Sequence, residues 1–350
     1  ALERAPPARG AAPTPRRPRI EKALLVILRE ASARDAVPIV SLLKLGLGEA
    51  LMPKSVAYWD WKHRDNPFGG SSVLLALEGE EIIGVRAFMR WDWTCRGETI
   101  KAVRAVDTVT HPRHLRKGVF QKLTLSQLND LKGSDIRFIF NTPNNSSMPG
   151  YLKMGWEAAG RLPVSFNVRR PFSLAANALG WRGSHSPSRD DGSLAALLGR
   201  TDEVRALLAE HARRDPELMR TALSLEYLKW RYAAVPVADY MAVTQGEDSL
   251  DAFAIARVKD SKAGRELRVT ECIEGARCDR ERLKNLLFEK ARAMKVDVIT
   301  MSGLSRFPGR HLTLDRGPAV TLFDLNDYER FHELEGFRKW SPSLGDLELF

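Results

Sequence analysis

At 350 residues the chain exceeds one comfortable hydrophobic core and suits two domains of about 150 residues each. A 44% hydrophobic share and 28% charged residues are those of an ordinary globular protein; no run of eighteen apolar residues could span a membrane, and no leader-like apolar core opens the chain. Three cysteines, Cys95, Cys272 and Cys278, offer neither a disulfide framework nor a metal-ligand spacing, so a reducing cytoplasm is the default setting.

The net charge of +10 is unevenly spread. Residues 1–22 hold six basic residues against two acidic ones in a Pro-, Ala- and Arg-rich context, which predicts a disordered basic tail over residues 1–20. No aromatic interleaves those cations, so nucleic-acid binding is the weaker reading of the tail. Further on, Tyr58-Trp59-Asp60-Trp61-Lys62-His63-Arg64-Asp65 is rich in rings and hydrogen-bonding groups. Trp59, Asp60, His63, Arg64 and Asp65 are candidates for lining an acceptor site, the ring stacking on a sugar-like face. Trp91 and Trp93, two apart on a predicted strand, share one face and are read as packing.

A β-like run from Val103 to Val109 then enters a basic turn that ends at Gly118. Phe120, Leu123, Thr124, Gln127, Leu128 and Leu131 follow at helical spacing, and Lys132-Gly133 supplies the stop. A second apolar strand, Ile136 to Phe140, leads into an Asn-rich turn. A strand feeding a basic turn and a helix start is a place for phosphate, because the first N–H groups of a helix lack partners and the macrodipole is positive there. Asp107 lies on the strand, and alternation puts its side chain with Ala105 and Val109, as a candidate general base or as a partner for Arg104 or Arg86.

The order of these parts resembles the GCN5-related N-acetyltransferase (GNAT) superfamily. Asp107 to Pro112 is similar to the family's fourth strand, and Lys117-Gly118-Val119-Phe120 to the end of its pyrophosphate loop. Asn144 through Tyr151, followed by Gly155-Trp156, is similar to its later Asn-to-Tyr motif. The resemblance implies acetyl-CoA, or another acyl-CoA, as co-substrate. It assigns the cofactor to Val109, Thr110, Leu115, Arg116, Lys117, Gly118, Val119, Phe120 and Asn144, and the general acid to Tyr151. Leu115 stands where the family usually has Arg or Gln, and Arg116 stands at the first loop glycine. A non-Gly residue is tolerable at Arg116 if it keeps φ below zero, because only positive φ penalises a side chain.

An internal repeat sets the domain plan. Tyr58, Trp61, Lys62 and Pro67 recur as Tyr227, Trp230, Arg231 and Pro236, 169 residues on. Val103 to Asp107 answers to Leu267 to Glu271, and Gly155-Trp156 to Gly336-Phe337. The repeat points to core packing for Tyr58 and Trp61. The expected fold is therefore α/β, an α+β mixed sheet built twice: tandem acyl-CoA N-acyltransferase folds over residues 21–170 (catalytic) and 201–350 (degenerate), joined by a linker over 171–200. The second copy keeps no Lys-Gly step, and Glu274, Asp279 and Glu281 surround its turn, which would repel a pyrophosphate. The function implied is transfer of an acetyl or short acyl group to a primary amine of a small molecule, such as an amino sugar or natural product. The alternatives are a longer-chain transferase fed by acyl-CoA or acyl carrier protein, and a non-catalytic CoA-binding scaffold. Seven histidines include no short ligand pair, so no metal is implied.

Overall fold

The computed structural model describes residues 26–49, 52–179, 191–261, 264–304 and 311–348; the basic tail and the middle of the expected linker lie outside them. The chain opens with β1 (Ile27–Glu30), α1 (Ala36–Leu47) and α2 (Val56–His63), then β2 (Ser72–Glu78), β3 (Glu81–Cys95) and β4 (Glu98–Thr110). Next come α3 (Val119–Leu131), β5 (Phe138–Asn141), α4 (Met148–Lys153), β6 (Glu157–Arg161) and β7 (Val164–Val168). Helices α5 (Pro171–Ala178) and α6 (Ser193–Gly199) flank the joining region, and α7 (Thr201–Arg214) starts at the Thr-Asp-Glu step. The second half continues through β8 (Arg220–Thr221), α8 (Leu225–Leu228), β9 (Met241–Gln245), β10 (Ala252–Ser261) and β11 (Gly264–Glu274). It ends with α9 (Arg280–Ala293), β12 (Val298–Ser302), β13 (Leu312–Leu314), β14 (Ala319–Asp324) and α10 (Leu344–Leu347). None of the described helices is long and apolar enough to cross a membrane.

Two mixed sheets result. The first runs β1-β2-β3-β4-β5-β14-β6, with β8 on β3; the second runs β13-β7-β12-β11-β10-β9. The first sheet takes β14 and the short β8 from the second half of the chain, and the second sheet takes β7 from the first. β14 lies antiparallel between β5 and β6, and β7 lies between β12 and β13. The largest core cluster accordingly draws on both halves, from Ile39 and Leu43 on α1 to Trp340 and Leu344 near the end.

The repeat is visible as a local two-fold relation. Trp61 and Trp230 stack at 4.9 Å between ring centroids, and each indole N–H donates to the other's carbonyl oxygen at 2.7 Å. Their helices start alike, with Ser55 Oγ accepting from Tyr58 N and Ser224 Oγ from Tyr227 N. Tyr58, Trp61, Trp91 and Trp93 are all buried, which agrees with packing for each.

On the opposite face of the first sheet, Val119 and Leu123 of α3 press onto β3 at Gly84. A Cβ at Gly84 would come within 2.7 Å of Val119, so only glycine lets α3 lie this close.

Candidate active site

β4 and β5 are parallel neighbours over three residue pairs only, Ala102–Arg104 against Phe138–Phe140. β14 lines the other edge of β5 along its whole length, Phe138–Asn141, and beyond Arg104 β4 keeps its pairing with β3 alone. The two strands therefore part, and the main chain of β4 from Ala105 to Thr110, which includes Val109 and Thr110, has no β5 neighbour on that edge. Such an edge can take an extended chain as an added strand.

At the end of β4 the turn over His111–Gly118 delivers α3. Gly118 is the N-cap with φ 78, and no side chain caps the helix. The first N–H groups, from Val119 and Phe120 onward, are thus left for an outside acceptor. Leu115, Arg116 and Lys117 are exposed beside them, and neither cation forms an ion pair among the described residues, whereas Arg113 is held by Glu81 at 2.7 Å. Arg116 does not meet the condition of negative φ: its φ is 62, in the left-handed region. For an L side chain this conformation costs about 1–2 kcal/mol. Asn144 is exposed, and its Oδ1 accepts from Ser146 N, Ser147 N and Ser147 Oγ, so it shapes the turn into α4.

Tyr151, on α4, is buried beside the parted strands, edge-on to Phe120 (5.4 Å) and Trp156 (5.2 Å). Its hydroxyl accepts a 3.0 Å hydrogen bond from Arg86 Nη1. The same nitrogen donates to Thr108 Oγ1 at 3.0 Å.

Arg86 stands opposite a β-bulge. Val85 pairs with Val109 and Ala87 with Val106, so Asp107 and Thr108 face a single residue of β3. The bulge overturns the alternation expected at Asp107. This residue has φ 44, and its carboxylate points with Val106 and Val109 towards α2, while Ala105 packs on the α3 face. Its partners are neither Arg104 nor Arg86. Lys62 Nζ forms a buried ion pair with Asp107 Oδ2, and His63 Nε2 meets the same oxygen at 2.9 Å. Burial alone would raise the Asp107 carboxyl, but the Lys62 charge and the His63 hydrogen bond outweigh it and hold it well below the usual carboxylate range. Burial lowers His63 and Lys62, with Asp107 offsetting part of each shift. An ionised Asp107 can only accept, so Nε2 carries the proton of the neutral His63 ring. Nδ1 then accepts from Ser71 Oγ at 2.9 Å.

The acetyltransferase (GNAT) domain family matches residues 28–159, which contain all of these groups. Residues 28–159, somewhat over a third of the chain, are thus similar to GNAT acetyltransferase domains. Solved structures similar to the whole chain include a conserved protein of Enterococcus faecalis V583, a probable N-acyltransferase (10% identity, TM-score 0.60, covering 86% of this chain and 73% of that one). Others are a GCN5-related N-acetyltransferase of Anabaena variabilis ATCC 29413 (13%, 0.58, 86% and 73%) and Eis1 of Mycobacterium abscessus (15%, 0.55, 86% and 74%). At such identities the likeness is one of fold, and it extends over both sheets. No curated protein matches the chain in sequence. The match supports acyl transfer in general, and domains of this family generally use acetyl-CoA as co-substrate.

The remaining sequence candidates divide by helix face. Trp59 and His63 are buried against each other at 3.9 Å, so the face of the Trp59 ring is already occupied. Asp60 and Arg64 pair at 3.1 Å near the surface, and Asp65 is exposed. The cavity between Asp107, Lys62 and Trp59 is about 10 Å³, room for a water and not for a sugar ring. Sequence reasoning overlooked Lys62 and Ser71 as site residues. Lys62 carried a signal, since its repeat counterpart is the basic Arg231; Ser71 carried none.

Proposed function

We propose that the GNAT domain transfers an acetyl or short acyl group from acyl-CoA to a primary amine of a small molecule. The observation that carries this reading is the start of α3, uncapped, preceded by Gly118 at φ 78 and flanked by the unpaired Arg116 and Lys117, at the end of the parted strand β4. In this reading the N–H groups of Val119 and Phe120 hold the pyrophosphate. The pantetheine arm lies along Val109 and Thr110, and a main-chain N–H of the bulge meets the thioester oxygen.

Asp107 is too strongly held by Lys62 and His63 to serve as the base itself. Its part is to fix the His63 tautomer. The acceptor's proton then passes through the partly exposed Ser71 to neutral His63 Nδ1, and Tyr151 protonates the leaving thiolate. The acceptor approaches from the α2 side, where Asp60, Arg64 and Asp65 offer charges to an amine-bearing or hydroxyl-bearing molecule.

Calorimetry with CoA tests the reading. One site per chain is expected, and Gly118→Asp should weaken binding about ten-fold or more, since it places a carboxylate and a Cβ at a left-handed position beside the helix start. Two equivalent sites, or wild-type affinity in Gly118→Asp, would refute it.

A further inference from the structure

Arg86 is a charged side chain whose surroundings the reaction scheme above leaves unexplained. It is fully buried, yet among the described residues it makes no ion pair. Its Nη1 donates to two neutral hydroxyl oxygens, those of Thr108 and Tyr151, while Nε and Nη2 are buried without a hydrogen-bond partner. The other fully buried arginines differ. Arg104 donates to the carbonyl oxygens of Asp346 and Leu347, and Arg231 to that of Gly345. Around Arg86 stand three rings instead, Phe88 at 4.7 Å, Tyr151 at 5.3 Å and Phe120 at 5.6 Å from the guanidinium carbon. Aromatic faces support a cation without neutralising it. A buried guanidinium with free N–H groups and no counter-charge is a receptor for an anion.

A guanidinium has no acceptor atom. In the Arg86–Tyr151 bond the phenol oxygen is therefore the acceptor, and the Tyr151 proton is left to point elsewhere. We infer that Arg86 and Tyr151 form one device for the leaving sulfur of the donor: the free N–H groups of Arg86 receive the sulfur as it becomes a thiolate, and Tyr151 gives it the proton. This rests on the acyl-CoA reading above. When the amine nitrogen attacks the thioester carbonyl carbon, the C–N bond forms, the C–S bond breaks and sulfur keeps the electron pair. The Tyr151 proton moves to that sulfur. The phenolate left behind stays bonded to Arg86 Nη1 until the proton that Ser71 and His63 took from the amine is returned through solvent. A positive charge thus faces whichever atom, sulfur or phenol oxygen, is negative at each stage. Arg86 is in this sense also a positioning residue for Tyr151.

The test compares CoA with desulfo-CoA, which lacks only the sulfur, at mildly alkaline pH, where the thiol begins to ionise. Wild-type protein should bind CoA about ten-fold more tightly than desulfo-CoA, the usual scale of one charge-assisted hydrogen bond. In Arg86→Gln the preference should vanish while desulfo-CoA affinity stays within about two-fold of wild type. Turnover should fall about 10²-fold or more in Tyr151→Phe. The double variant Arg86→Gln/Tyr151→Phe should be no slower than the worse single one, because the two act as a unit. Arg86→Lys keeps the charge and should restore part of the preference; it also decides the matter should the Gln variant fail to fold. Equal loss of both ligands in Arg86→Gln, or strictly multiplied losses in the double variant, would make Arg86 a packing residue and overturn the inference. Wild-type protein that binds neither ligand would instead remove the acyl-CoA reading itself.

Discussion

In the first half, β4 and β5 pair over three residues and part beyond Arg104; in the second, β11 and β12 pair over Glu266–Arg268 and Val298–Thr300 and part beyond Arg268. β4 and β11 each carry a bulge just beyond the point of parting, Asp107-Thr108 in β4 and Thr270 in β11. Both place a carboxylate there, and what meets it differs. Asp107 has Lys62 and His63; Glu271 has the hydroxyls of Tyr232 (2.7 Å) and Ser343 (2.8 Å). Tyr232 occupies the repeat position of His63. Arg231, the counterpart of Lys62, turns to the Gly345 carbonyl. Burial and the neighbouring Asp346 push Glu271 up to about 8, so one half keeps its buried carboxyl charged and the other keeps it protonated near neutral pH. A cavity of about 140 Å³ remains in the second opening, lined by Glu271, Ser302, Ser343 and Asp346 among others.

The helices after the two openings complete the contrast. α3 starts uncapped at Gly118, whereas Asp279 caps α9, its carboxylate accepting from Arg282 N at 3.1 Å. The second helix start already holds its anion. An outside phosphate there would meet a carboxylate in the place it needs. The same architecture is thus open to a ligand in one copy and closed by its own side chains in the other.

The largest expected effect comes from trying to separate the two halves. A chain ending at Arg200 retains the whole α3 start and Tyr151 but lacks β14, the strand between β5 and β6, and also lacks Trp230 against Trp61. β5 would gain a free edge and the shared core would be open to water, so loss of the folded state and of all transfer activity is expected. Circular dichroism and light scattering check this. A monodisperse, active fragment would mean that the first opening does not need its partner.

A smaller effect, of opposite sign in the two halves, is expected from pH. Folded chain keeps the Glu271 proton up to about pH 8, while unfolded chain releases it near 4.5, so this site loses stability as pH rises between those values. His63 is buried neutral, and unfolded chain takes its proton first below the ordinary value of 6.5, so this site loses stability as pH falls from there. Thermal melts should therefore show Glu271→Gln gaining on wild type from pH 5 to pH 8 by on the order of 1–3 kcal/mol. His63→Gln should reduce the loss on going from pH 7 to pH 5. Parallel curves for either variant would show that its proton does not couple to folding.

How much of this was legible in the sequence follows the range of the forces. The strand, loop and helix around Gly118 were readable because apolar period, stop signal and glycine all act within a few residues. The Tyr-Trp repeat was readable because the same pocket is built twice. The bulge was not, since an extra residue in β4 is defined only against β3; the face assigned to Asp107 failed for that reason. The exchange of β7 and β14 was equally hidden, because two five- or six-residue apolar strands carry no mark of which sheet will take them. Arg86 in an apolar strand gave no sign of lacking a counter-charge, which is a property of three neighbouring elements together.

The smallest effect sharpens the comparison of the helix starts. Asp279→Asn preserves a side-chain oxygen for Arg282 N and removes the charge; Asn caps as well as Asp, so stability should change by less than about 0.5 kcal/mol. Asp279→Ala removes the cap and should cost about 1 kcal/mol. Neither should alter acyl transfer if, as proposed, the donor is held at α3. Calorimetry adds the more searching measurement. If the carboxylate at Asp279 is all that keeps phosphate from α9, the Asn variant gains a second, weak site for CoA. If the missing Lys-Gly step and the filled opening also matter, stoichiometry stays at one. The structure favours one, since Glu274, bonded to Arg280 at 2.8 Å, and the hydrogen-bonded Glu271 would both remain in place. A drop in transfer rate with the fold retained would place the reacting groups in the second half and reverse the assignment of the two openings.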